Sequence, residues 1–198
     1  LFNFFIIYSK LLTGKLKNLK IEILEYLFSI RPETIIVKIL KTRNVRTPER
    51  GTSYAAGIDF FVPYEEDFYI VNSTTGEVKK GGKELILLPG ESALIPSGIK
   101  ACLPEGYALV AFNKSGVCTK RSITVGAEVV DEDYMGEIHL HVINSGMHST
   151  QIHPGDKLIQ FMLIKQNYLD VETVETEFEL WRDKKSDRGE GGFGSTGN

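Results

Sequence analysis

From Thr34 onward, turn signals recur roughly every eight to twelve residues, and the stretches between them are too short to be anything but strands. The punctuation is Pro63, Thr74-Thr75-Gly76, Lys80-Gly81-Gly82, Pro89-Gly90, Pro96-Ser97-Gly98, Pro104-Glu105-Gly106, Ser145-Gly146 and Pro154-Gly155-Asp156. Proline fixes φ and glycine admits positive φ, so each cluster marks a turn for a physical reason. Between them lie 35–40, 57–62, 85–88, 93–95, 107–112, 123–125, 137–143 and 158–163, rich in β-branched and aromatic residues. With no helical block among them, the pattern predicts an all-β sandwich, barrel or jelly roll. No internal repeat is evident.

Both ends depart from this pattern. Leu16, Leu19, Ile23, Leu24, Leu27 and Phe28 are spaced for one face of a helix, which Arg31-Pro32 would end. Residues 1–12 are apolar but fall short of the ~20 residues a spanning helix needs. The chain begins with Leu1 and its first methionine is Met135. Residues 1–33 therefore read as an N-terminal extension, with a short helix outside the core or as an artefact of processing or reading frame. Residues 182–198 are charged, then glycine-rich, which predicts a flexible C-terminal arm. The domain proper is expected over 34–181.

The formal net charge is −3 with no long basic run, which argues against a nucleic-acid binder and leaves room for a small phosphate-bearing ligand. No membrane association is expected either. Cys102 and Cys118 match no zinc or redox spacing and read as reduced core or semi-core thiols, which favours an intracellular, cytoplasmic location.

Five segments carry candidate chemistry. Asp59 enters a strand in Ala55-Ala56-Gly57-Ile58-Asp59. Asn113-Lys114-Ser115-Gly116 joins a cation, a hydroxyl and a glycine at a strand end, a pattern suited to an anion. Residues 129–137 read as a β-hairpin in which Asp131 offers a general base or metal ligand and Tyr134 a flat ring. Gly155-Asp156-Lys157-Leu158-Ile159-Gln160 is a turn followed by an apolar strand. The tail segment 189–194 has the letters of a dinucleotide fingerprint but lacks the strand and helix that motif needs. Its glycine amides, with Arg188, Ser195 and Thr196, suit phosphate oxygens, and Phe193 is placed to close over something flat.

In this order, the five segments resemble the signature motifs of the trimeric dUTPase family, over roughly residue 34 to the C-terminus. The resemblance implies a dUTPase-like distorted jelly roll and hydrolysis of dUTP to dUMP and pyrophosphate with Mg²⁺, keeping dUTP low and supplying dUMP for thymidylate synthesis. It implies that Asp131 deprotonates the attacking water and that Tyr134 packs on the deoxyribose. The main chain from Gly126 through Val129 and Val130 would read the uracil edge, and Lys114, Ser115 and Gly116 would bind phosphate. Asp59 and Gln160 would support the water shell of a Mg²⁺ held through substrate phosphates, with no direct protein ligand. Arg188, Phe193, Gly194, Ser195 and Thr196 would form the closing arm, with Phe193 over the base. The site would be shared among three copies in a homotrimer.

Two positions depart from the family pattern. Lys114 stands where arginine is usual, which keeps the charge but loses the bidentate fork. Glu128 stands where glycine is usual, within the uracil segment. The alternatives are dCTP deaminase, which shares the fold and has a glutamate where His141 stands, and a non-catalytic nucleotide-binding regulator. His139 and His141 share one strand face with no third metal ligand in view, so a structural role is expected for both.

Overall fold

The computed structural model describes residues 34–64, 69–72, 74–80, 85–187 and 189–191. The expected helix near residues 16–30 lies outside them. Among the described residues there are thirteen strands and two short helices. They fall into two units, one ending at Lys165 and the other starting at Gln166.

The first unit is built on two sheets. One is four-stranded, with β10 (Val129–Val130), β8 (Tyr107–Asn113), β13 (Lys157–Lys165) and β2 (Ile58–Phe61) side by side. Its axis is the antiparallel ladder of β8 with β13, which runs from Asn113 opposite Ile159 to Tyr107 opposite Lys165. The other is five-stranded, in the order β4 (Val78–Lys80), β3 (Tyr69–Asn72), β6 (Ser92–Pro96), β11 (His139–Asn144), β9 (Ile123–Val125). Along β11, Leu140, Val142 and Asn144 are buried, while His139 and the residues between them are more open. That is the period-two pattern of a sheet with one face in the core. Ile95, Leu140 and Val142 from this sheet join Phe60, Leu109, Ile159 and Phe161 from the other in one apolar core. The Phe60 and Phe161 rings meet with centroids 4.5 Å apart. Two small ladders complete the unit: β1 (Lys38–Lys41) with β7 (Ile99–Cys102), and β5 (Leu85–Leu87) with β12 (Thr150–Ile152).

Three expectations need correction. A helix, α1 (Ser115–Arg121), stands directly after β8, where none was expected. Seven residues show too little periodicity to reveal a helix in sequence. The second helix, α2 (Glu177–Trp181), lies in the second unit, capped by the Thr176 hydroxyl accepting from the Glu179 amide at 3.2 Å. Cys102 is exposed rather than in the core, because it falls on the outward phase of β7; Cys118 is half-buried, and both are free thiols.

Candidate active site

Strand register brings three of the predicted residues together. Asp59 on β2 lies opposite Gln160 on β13, and Gln160 lies opposite Phe112 on β8, one residue before Asn113. Lys114 follows at the strand end. The Asp59 carboxylate is 4% exposed and accepts from Lys114 Nζ through Oδ1. Its Oδ2 lies 3.4 Å from Lys157 Nζ. A buried carboxylate is costly without partners, and here two ammonium groups bracket it. Gln160 Nε2 donates to the Asn113 carbonyl at 2.8 Å, and Asn113 Oδ1 accepts from the Val125 amide at 2.8 Å. The cluster is therefore tied across four strands and presents two cations beside an amide. Ser115 and Gly116, exposed, form the first turn of α1 next to it.

The segment 126–138 is built differently. Within it, residues 129–137 were expected to form a hairpin closing on itself, but β10 pairs with β8 while β11 pairs with β6 and β9. The chain leaves the five-stranded sheet after Val125, adds two residues to the four-stranded sheet, and returns. β10 is the edge strand of the four-stranded sheet, and its ladder is with β8. At the start of the excursion, the Gly126 amide donates to the His141 carbonyl at 2.9 Å and the Ala127 amide to His141 Nδ1 at 2.8 Å. The imidazole is packed against the Gly126 backbone so closely that a Cβ there would come within 2.2 Å of Nδ1. His141 thus ties the Ala127 amide and carries the Gly126 backbone against its ring.

Beyond Gly126 the segment walls a cavity of roughly 200 Å³. Its sides are residues 127–131, Tyr134, Ile138 and His139, and its floor is Leu94 and Phe161. Val129, Val130, Asp131 and Tyr134 therefore share one concave surface. Asp131 is exposed, and its carbonyl accepts from the Tyr134 amide at 3.2 Å. The neighbouring Glu132 carboxylate accepts from the Gly106 amide at 2.5 Å and so ties the turn to the connection between β7 and β8. Tyr134 donates its hydroxyl to the Glu137 carbonyl at 3.0 Å, its ring lying over Gly136. Glu128 is exposed, and its carbonyl accepts from the Ala111 amide at 2.7 Å.

Glu137 closes the segment. Its carboxylate takes a forked pair from Arg43 at 2.8 and 3.1 Å and the Gly98 amide at 2.6 Å. Burial pushes its pKa up, but the bonds from Arg43 and Gly98, with the electrostatic pull of Arg43 and His139, outweigh this and hold it below the ordinary 4.5.

The two groups are far apart. Val130 sits opposite Leu109, and Lys114 lies five residues further along the same run of chain, roughly 17 Å at strand rise. A single chain thus puts Asp131 and Lys114 toward opposite ends of β8, while the cavity lining between them reaches Phe161, the residue after Gln160. Arg188, Phe193, Gly194, Ser195 and Thr196 lie outside the described residues. A larger, more open cleft of about 430 Å³ beside Arg121 and His153 is lined by none of the predicted residues. Among the described residues, no three His, Cys, Asp or Glu side chains cluster as a metal centre. Sequence reasoning missed Lys157, although its charge lay in a quoted segment. It also missed Arg43 and Glu137, which meet across 94 positions and leave no local signal.

A family model for dUTPase matches residues 81–197. The deoxyuridine 5′-triphosphate nucleotidohydrolase of Mus musculus is 32% identical over 157 residues, covering 79% of this chain and 81% of its own. That of Chlamydia pneumoniae is 36% identical over 154 residues, covering 76% and 90%. Among solved structures, a Staphylococcus bacteriophage 80alpha dUTPase with dUpNHpp aligns at a TM-score of 0.63 with 23% identity, over 83% of this chain and all of that one. A dUTPase variant from phage phi11 of S. aureus, whose structure describes coordination of a structural Mg(II) ion, aligns at 0.57 with 21% identity, over 72% and 98%.

Proposed function

The chain belongs to the dUTPase family, and from that premise we propose that it hydrolyses dUTP to dUMP and pyrophosphate by attack of water at the α-phosphorus. The observation that carries this reading is the sorting of polar groups on the strands. Two cations and an amide gather at one end of β8, and a cavity walled by a carboxylate and a phenol lies alongside it. The first suits a polyphosphate and the second a nucleoside.

The proposed roles follow from that sorting. The base enters the cavity along the main chain of residues 126–130, and Tyr134 packs on the sugar, where a 2′-hydroxyl would collide with the ring. Asp131 takes a proton from the attacking water, whose oxygen bonds to the α-phosphorus as the bond to the bridging oxygen breaks and pyrophosphate leaves. Lys114, with Ser115 and Gly116, holds phosphate oxygens. As a point charge, Lys114 orients them less strictly than a guanidinium fork. Mg²⁺, when bound, neutralises charge on the triphosphate. Asp59 and Gln160 would support the water shell of that ion, which would otherwise be held by the substrate's phosphates rather than by the protein. Arg188, Phe193, Gly194, Ser195 and Thr196 close over the substrate and exclude bulk water.

The distance along β8 supports a shared site. We propose that Asp131 of one copy and Lys114 of another serve one triphosphate, which a closed ring of three copies would satisfy for every site. We place the enzyme in the cytoplasm, where its product supplies thymidylate synthesis.

Product analysis tests the reading. The protein is incubated with dUTP, dCTP, UTP and dTTP in turn, with and without Mg²⁺, and products are separated by chromatography. Conversion of dUTP alone to dUMP and pyrophosphate is expected. Deamination of dCTP would replace the reading with the deaminase, and no turnover by folded protein would leave a nucleotide-binding regulator.

A further inference from the structure

Three segments distant in sequence meet behind the Asp131 cavity, and their meeting point is Glu137. The Thr42 amide donates to the Gly98 carbonyl at 2.8 Å, which places Arg43 beside the turn between β6 and β7. Arg43 then forks onto the Glu137 carboxylate at 2.8 and 3.1 Å, while the Gly98 amide donates to the same carboxylate at 2.6 Å. The next residue is fixed on the same turn: the Ile138 amide donates to the Ile99 carbonyl at 2.9 Å, and the Ser97 amide to the Ile138 carbonyl at 3.0 Å. Residues 137 and 138 are therefore held by side chain and main chain together.

What this holds still is one carbonyl oxygen. The Glu137 carbonyl takes the Tyr134 hydroxyl at 3.0 Å and stands 2.9 Å from His139 Nδ1. A carbonyl only accepts, so Nδ1 is the donor in this contact and Nε2 is left facing away from it. Tyr134 and His139 are both walls of the cavity. Their placement therefore depends on where the Glu137 carbonyl sits, which in turn depends on the Arg43 fork. A forked guanidinium–carboxylate pair fixes orientation as well as distance, and both side chains are largely shielded, at 26% and 16% exposed.

We propose that Arg43 and Glu137 form a clamp that positions Tyr134 and His139, making Glu137 a positioning residue for sugar and base selection in the nucleoside cavity. This rests on the reading of that cavity as the nucleoside site. Glu137 touches no substrate in this account and acts through Tyr134 and His139.

The test uses the full chain as Arg43→Ala, Glu137→Ala and Tyr134→Phe, with Arg43→Lys as a milder variant should Glu137→Ala fail to fold. Two quantities are read: the ratio of kcat/KM for dUTP over UTP, and amide hydrogen exchange over residues 131–139 without ligand. The clamp predicts that Arg43→Ala and Glu137→Ala lower the ratio about tenfold, since misplacing a contact by a fraction of an ångström costs that order. Faster exchange over 131–139 accompanies it. Arg43→Lys falls between wild type and Arg43→Ala. Combining Arg43→Ala with Tyr134→Phe costs less than the sum of the two, because both act through one carbonyl. Folded variants with the wild-type ratio would overturn the proposal, even with faster exchange, for the clamp would then be structural only. If wild type does not turn over dUTP, the proposed function fails. The clamp is then judged by exchange alone, and unchanged exchange in Arg43→Ala overturns it.

Discussion

The cluster at Asp59 and the segment at Asp131 sit at opposite ends of one strand and are held by opposite means. Asp59, Lys114 and Gln160 are set by strand register and tied by side-chain bonds, two of them ionic. Asp131 and Tyr134 belong to an excursion between two sheets, held at its start by Gly126 on His141 and at its end by Glu137 on Arg43. Ladders position a residue as well as the sheet is stable. An excursion positions it only as well as its two anchors are, and leaves its tip free to meet another molecule. The exposure of Asp131, Val129 and Tyr134 fits that difference, as does the burial of Asp59.

The largest expected effect asks whether the two regions work within one chain. Asp131→Asn removes the proposed base and is expected to cut turnover by about 10²- to 10⁴-fold while dUTP still binds. Lys114→Ala is expected to lose activity through phosphate binding. Neither protein alone is active, yet co-refolding the two in equal amounts restores roughly a quarter of wild-type turnover. Each shared site has one chance in four of drawing an intact Asp131 from one copy and an intact Lys114 from another. No recovery in oligomers shown to be mixed breaks the comparison, because the two ends of β8 would then not serve a common substrate.

A smaller effect separates the anchoring modes. Gly126→Ala drives a methyl into the His141 ring, which must shift and with it the Ala127 amide bond to Nδ1. A loss of about 1–3 kcal/mol in urea unfolding is expected, the usual cost of overpacking, with a rise in KM larger than the fall in kcat. Wild-type stability and KM in this variant would show that the excursion does not depend on its first anchor.

How much of this was legible in sequence divides along the same line. Turn chemistry and alternation revealed most strands of the two sheets, because Pro89-Gly90 or Pro104-Glu105-Gly106 act locally. β12 (Thr-Gln-Ile) did not stand out, since its pairing with β5 rather than its composition makes it a strand. Asp59, Lys114 and Gln160 were legible only as fragments of a family pattern. What joins them is register, which no single segment encodes. The crossing between sheets was misread, over residues 129–137, as a hairpin, since an acidic turn between apolar runs looks the same whether its arms pair with each other or with different strands. Arg43 could not be found at all, as nothing near it in sequence foretells Glu137.

The smallest effect concerns the second anchor. With its folded-state value below 4.5, Glu137 adds stability that is complete above the unfolded-state value near 4.5 and is lost as the pH falls through the folded value. The sign follows from protonation: the unfolded chain binds the proton more readily, so acid favours unfolding. Glu137→Gln carries no titrating group there, and its own pH dependence lacks this contribution. The gap in stability between wild type and Glu137→Gln should therefore be constant from pH 7 down to about 5, then narrow at lower pH, by no more than ~1 kcal/mol for a partly exposed pair. Thermal unfolding of both proteins across that range measures it. A gap that stays constant to pH 3 would mean that the Arg43 fork does not hold the carboxylate in solution, and the excursion would have to be anchored through Ile138 and the main chain alone.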